Sequence, residues 1–586
     1  MRWAETLEDL LASNATPGTE THGGRSAADL LLDPDRLMRP ERLGALAPSR
    51  MSASRSLVNK MITEKWSVEL ASLDIDASAR GRAIYRICAG AWTFSFVAYS
   101  FEPVLEGRTG RIIGQNWDMA GSLVEGEISD ADVETTAVEL PKLYAGRATP
   151  GTLVWCRSNR SLRLFDHVVD RLADGVQPDL DELWGVGYLM RNTGLDGNGT
   201  FGTRSFLALE ADHPLRVPYH AQMLAAYLMR EFSVDLVEHM ARLRNPGAPR
   251  LAPELRRCLG LGNGSALGLV FFTNTHPVLI DRWLSLRQRA MVRAAGLPLD
   301  DGRGYGDHLA GVLARALRFY AEDPFTYLAF EDPGCITSDL QCALDDLARL
   351  RTDVPTAVAG DLLSRLDGVV SAEAWEVVAA ALLELIPDQV DELTADAAVH
   401  EILQGAPGAT VAQMRTLLST EYAWALRIDM DAPGARAYVW YKSRDAEEPR
   451  RGPADEVPDG RNWALDLPGD LQRLDRALAG APAGETMARF LATRPELRGI
   501  AERAQGLGGT LYHSPHMNML DEAFRPVHIV RFMNAAFHGL DRTVDSQDRN
   551  VLGLLFQGAP TRDELESAQE WAYPAKPAGK AKGTAQ

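Results

Sequence analysis

The chain has 586 residues, of which 46% are hydrophobic and 24% charged, and its formal net charge is −19. Such a length implies two or three packed domains and the composition is that of a folded globular protein. The acidic balance, with no Lys/Arg run interleaved with aromatics, argues against a nucleic-acid groove. No apolar stretch approaches the roughly 18 to 20 residues of a membrane span, and Met1 to Glu5 turns acidic without the apolar core of a secretory signal. A soluble, cytoplasmic protein with no membrane partner is expected.

Residues 1–50 read as a loop-rich N-terminal arm, marked by Asn14-Ala15-Thr16-Pro17-Gly18 and Gly23-Gly24. Over 51–134 the apolar period moves toward two. Ala83 to Ile87, Gly90 and Trp92 to Tyr99 form a hairpin pattern, with Val68 to Leu70 and Arg111 to Ile113 as neighbouring strands of an antiparallel β region.

From 135 to 417 helical spacing dominates, in Leu162–Leu172, Leu180–Met190, Gln222–Leu243, Val278–Ala295, Leu309–Tyr320 and Trp375–Ile386. One of these segments carries Glu231, Asp235, Glu238 and His239 opposite Leu236, Val237 and Met240, a pattern expected to be a solvated face. Over 418–562 a C-terminal mixed α/β region begins with a second expected hairpin, Trp424 to Asp429 with Ala437 to Tyr441, and 563–586 reads as a disordered tail. The fold expected is therefore α+β, a predominantly helical body with an N-terminal antiparallel β-sheet and a smaller C-terminal mixed region. The five cysteines, Cys88, Cys156, Cys258, Cys335 and Cys342, are too scattered for a disulfide framework and are expected to be buried thiols.

Two glycine-rich segments carry most of the chemistry. Arg191-Asn192-Thr193-Gly194-Leu195-Asp196-Gly197-Asn198-Gly199-Thr200, closed by Arg204, follows an expected helix and offers a tightly turning backbone with exposed N–H groups between two arginines. Leu259-Gly260-Leu261-Gly262-Asn263-Gly264-Ser265, leading to Asn274 and His276, reads as a loop opening a helix N-terminus, a setting that favours anions. The run Gly260 to Ala266 is superficially similar to the phosphate loop of the GHMP kinases, over fewer than ten residues and without companion motifs, so no family is inferred from it. Arg157, Arg160 and Arg163 recur at three-residue spacing and would share one side if helical.

The reading that joins these segments is an enzyme that binds a small anionic metabolite, phosphorylated or carboxylated, where the two Gly/Asn-rich loops meet. Arg157, Arg160, Arg191, Asn192, Asn198, Gly199, Arg204, Gly262, Asn263, Gly264, Ser265 and Asn274 would hold the ligand. Asp196, His276, His513 and His516 would transfer protons in a lyase, isomerase or transferase reaction, with no cofactor required. A metal-dependent enzyme is the alternative, with zinc or iron on His513, His516 and Asp521. A non-catalytic binding or assembly protein is the third reading. A homo-oligomer is compatible with each. GxSxG, HExxH, Walker and EF-hand patterns are all absent from the sequence.

Overall fold

A computed structural model describes residues 32–47, 49–101, 118–140, 148–192, 200–202, 206–264, 277–322, 333–395, 405–433, 439–442, 449–453, 464–508, 510–512, 523–544, 551–567 and 572–577. Within the stretch expected to be an arm, Pro34–Leu37 and Pro40–Leu43 are short helices that bury Leu37 and Leu43. Helix α1 (Ala53–Thr63) follows, its N-terminus capped by Ser52.

The β region is an antiparallel meander of β1 (Ser67–Ile75), β2 (Gly81–Ala89), β3 (Trp92–Ser100) and β4 (Met119–Glu125). Period-two patterning decides which face is which. Tyr85 and Ile87 of β2 are buried while Arg86 and Cys88 are exposed. On β3 both faces are covered: Phe94, Phe96 and Ala98 join the main core, and Val97 and Tyr99 join a second cluster with Val133 of α2 (Asp130–Glu139) and Trp155. Trp155 lies on β5 (Thr152–Arg160), the next antiparallel strand, and α3 (Phe165–Ala173) follows it.

The segment expected to be one helix from Leu180 to Met190 is a helix and a strand. The helix Leu180–Val186 ends because Gly187 takes a left-handed conformation (φ 77°), its N–H donating to the Leu183 carbonyl. Tyr188–Asn192 then runs as β6. A short β7 (Thr200–Gly202) also pairs with β5.

Helix α4 (His220–Arg244) is buried along most of its length, packed against β3 to β8 and against α1 and α3. It connects β6 to β8 (Gly260–Gly264), and the long crossover lets these two strands run parallel. Gly260 to Gly264, expected to be a loop, is thus a strand inside the sheet.

The helical body is α5 (Pro277–Ala295), α6 (Tyr305–Glu322), α7 (Pro333–Asp353) and α8 (Ala359–Leu366), packed around the apolar α9 (Ala372–Leu383). Glu376 of α9 is fully buried and ion-paired to Arg287 of α5. Beyond it, the first strand of the hairpin expected from Trp424 is corrected, since Ala423–Leu426 is helical; Ala437 and Tyr438 lie outside the described residues, and β9 (Trp440–Lys442) pairs with β10 (Pro449–Arg451) and β11 (Ala464–Leu465). The chain finally returns to the main sheet, where β12 (Gly539–Val544) pairs with β13 (Val551–Leu555), which pairs with β8.

The fold is α+β with a predominantly helical body. No helix among the described residues is long and apolar enough to cross a membrane. Of the cysteines expected to be buried, Cys156 and Cys258 are, whereas Cys88 and Cys335 are exposed and Cys342 is half-buried.

Candidate functional site

Arg157 and Arg160 belong to a strand, so the expectation that they share a helix face is corrected. Odd-numbered Arg157 and Asn159 fall on the face of Trp155; Ser158 and Arg160 fall on the other. The guanidinium of Arg160 works inside the fold. Its Nη2 donates to Ser100 Oγ at 2.7 Å and to the carbonyls of Ala79 and Phe101 at 3.2 and 3.3 Å, and it lies over the Phe165 ring at 5.0 Å. Its backbone N–H donates to Asp118 Oδ1 at 3.0 Å. Arg160 ties the ends of three strands together.

Arg157 is placed differently. It is half-buried, and burial pulls its guanidinium down to about 10. Asn159 is the register partner of Arg191 across β5 and β6, so Arg157 and Arg191 are diagonal neighbours on one face of the sheet. Ser158 Oγ donates to Asn192 Oδ1 on the opposite face. Ser158, Asn159, Asn192 and Asp118 are all buried, a set of polar residues around the strand ends that carry the two arginines.

Register places the first glycine-rich segment with respect to this pair. Met190 and Arg191 pair with Arg160 and Asn159, and the chain rejoins β5 at Thr200, opposite Cys156. The described pairings of β5 with β6 and with β7 therefore lie on either side of Arg157. The second segment is also close in register. Across the parallel pair, Arg191 faces Gly262 and Asn192 faces Asn263, so the C-terminal ends of the parallel strands β6 and β8 lie side by side. Crevices at such ends are where open sheets with parallel strands bind ligands.

Gly262 owes its identity to packing. A Cβ there would lie 2.9 Å from the Tyr188 ring. Asp196, Asn198, Gly199, Arg204, Ser265, Asn274, His276, His513, His516 and Asp521 lie outside the described residues. Among the described residues no group of three His, Cys, Asp or Glu is placed to hold a metal ion.

The acidic face of α4 is corrected outright. Glu231, Asp235 and Glu238 are buried, not solvated. Asp235 takes both Arg562 nitrogens, at 2.6 and 2.9 Å, and the Tyr85 hydroxyl at 2.6 Å. Glu238 accepts from Arg256 at 2.6 Å and from the Leu251 N–H at 3.0 Å. Glu231 accepts from Arg230 at 3.1 Å and from the Arg562 N–H at 3.2 Å, and burial raises its carboxyl above the usual range. His239 contacts the Ile75 carbonyl at 2.8 Å. This network binds residues from four parts of the chain to one helix.

The polar set of Ser158, Asn159 and Asp118 escaped the sequence reading, although the run Ser158-Asn159 in a strand flanked by arginines was a visible signal. Compared with protein families, with curated proteins and with solved structures, the chain matches none of them.

Proposed function

We propose that the chain is an enzyme that binds a small anionic metabolite where β5, β6 and β8 meet. The register of Arg157 carries this reading: it lies between the β5 positions that pair with β6 and those that pair with β7, and Arg191 is its diagonal neighbour. Two guanidiniums on one face, partly withdrawn from water, suit the oxygens of a phosphate or carboxylate. The buried amide and hydroxyl groups around them fix the strand ends, so the pair is held before the ligand arrives. Asp196 and His276, in the segments that continue from β6 and β8, are the groups we assign to proton transfer in a lyase, isomerase or transferase reaction.

Calorimetric titration with inorganic pyrophosphate and with citrate tests the site. Saturable binding that weakens roughly tenfold or more in Arg157→Met and in Arg191→Met, each contact being charge-assisted, supports it. Equal binding by wild type and both variants, or no binding by wild type, overturns it.

A further inference from the structure

A serine and a histidine meet away from the strand-end arginines. Ser56 of α1 and His220, the first residue of α4, place Oγ and Nε2 3.1 Å apart, and both side chains are more than nine-tenths buried. That is the distance at which an imidazole takes the proton of a hydroxyl nucleophile. His220 Nδ1 has no hydrogen-bond partner among the described residues, and neither does Asn59 Nδ2, which lies three residues from Ser56 on α1.

The N-terminus of α4 adds donors. Tyr219, the residue before it, is left-handed (φ 65°), and among the described residues no side chain caps the helix. The amides of Ala221 and Gln222 are the first-turn N–H groups that a helix leaves unsatisfied. Together with the helix dipole, they make a place where negative charge is stabilised. On the same two helices, Asn59, Lys60, Ala221 and Gln222 are half-exposed. Burial and nearby Lys60 lower the imidazole to about 3, so it is neutral in the resting protein, and proton transfer from Ser56 rests on the 3.1 Å contact.

We propose that Ser56 and His220 form an acyl-transfer site, independent of the arginine site, that acts on small esters or thioesters. Ser56 Oγ bonds to the carbonyl carbon while its proton passes to His220 Nε2. The carbonyl oxygen takes up the negative charge, facing the Ala221 and Gln222 amides and Asn59 Nδ2. The C–O or C–S bond then breaks, His220 returns the proton to the departing alkoxide or thiolate, and the acyl group remains on Ser56. Water, deprotonated by His220 in turn, releases the acid and restores the serine. Among the described residues no carboxylate orients His220, so the proposal is of a dyad.

The test is covalent labelling of the full-length protein with an alkyl fluorophosphonate, read by intact mass and peptide mapping. One adduct on Ser56, none in Ser56→Ala, and labelling slowed roughly tenfold or more in His220→Gln are expected. A burst of nitrophenol from p-nitrophenyl acetate, smaller in Asn59→Ala, would accompany it. An unlabelled wild type, an adduct that persists in Ser56→Ala, or a His220→Gln protein that labels at the wild-type rate overturns the proposal.

Discussion

The acidic face of α4 and the arginine pair at the end of β5 and β6 are built from the same kinds of side chain and serve opposite ends. On α4 the buried carboxylates meet arginines from distant parts of the chain, with Asp235 on Arg562 and Glu238 on Arg256. At the strand ends the cations stand together, and the buried carboxylate nearby, Asp118, accepts from the backbone N–H of Arg160. Charges that are matched within the fold hold it together. In the proposed reading, cations gathered on one face serve an anion that arrives from outside.

The comparison breaks most visibly at Asp235. Asp235→Ala strips Arg562 of its bidentate partner and the Tyr85 hydroxyl of its acceptor, and a loss of about 3–5 kcal/mol is expected by urea denaturation. The pair Asp235→Leu with Arg562→Met should recover part of it, since no unmatched charge remains. A loss under about 1 kcal/mol in Asp235→Ala would remove α4 from the class of structural networks.

The neutral start of the same helix sharpens the contrast through pH. The folded value of His220, about 3, lies below its unfolded value of 6.5, so the unfolded chain takes the proton first as pH falls. The stability tied to this residue is complete above pH 6.5 and is lost progressively toward pH 3. Glu231 and Glu376, raised by burial, act in the other direction: their contribution is complete below the unfolded value of 4.5 and fades as pH rises through the folded value. Between pH 6.5 and 5, wild type should therefore lose about 1.5 kcal/mol that His220→Gln does not. Parallel stability curves for the two proteins would rule this out.

At the strand ends the effects on folding are smaller. Gly262→Ala drives a methyl group against the Tyr188 ring, at an expected cost of about 1–3 kcal/mol. Arg157→Met should change stability by no more than about 1 kcal/mol, since it removes a half-buried cation whose burial is itself costly, while weakening pyrophosphate binding. If Arg157→Met were instead as damaging as Asp235→Ala, the two regions would be the same kind of structure.

Much of the β meander was legible, because Tyr85 and Ile87 alternate with Arg86 and Cys88 in a pattern that only one burial scheme satisfies. The long helix from His220 was legible for the same reason at a different period. The glycines of 260–264 misled: small residues in series look alike in a loop and in a strand whose neighbours crowd it. The run Leu180 to Met190 misled too, because apolar spacing does not reveal that Gly187 turns left-handed and stops the helix. Ser56 and His220, 164 positions apart, gave no local signal at all.

By itself, then, the sequence determined the class of fold and the positions of its principal elements, since periodicity and capping are local properties of the chain. Tertiary structure decided which polar residues are matched and which are gathered. A helix face rich in carboxylates is the same string whether water or a second layer of arginines covers it. Only long-range pairing brings Asn192 beside Asn263, because strand register is set by contacts between segments that the linear order does not contain.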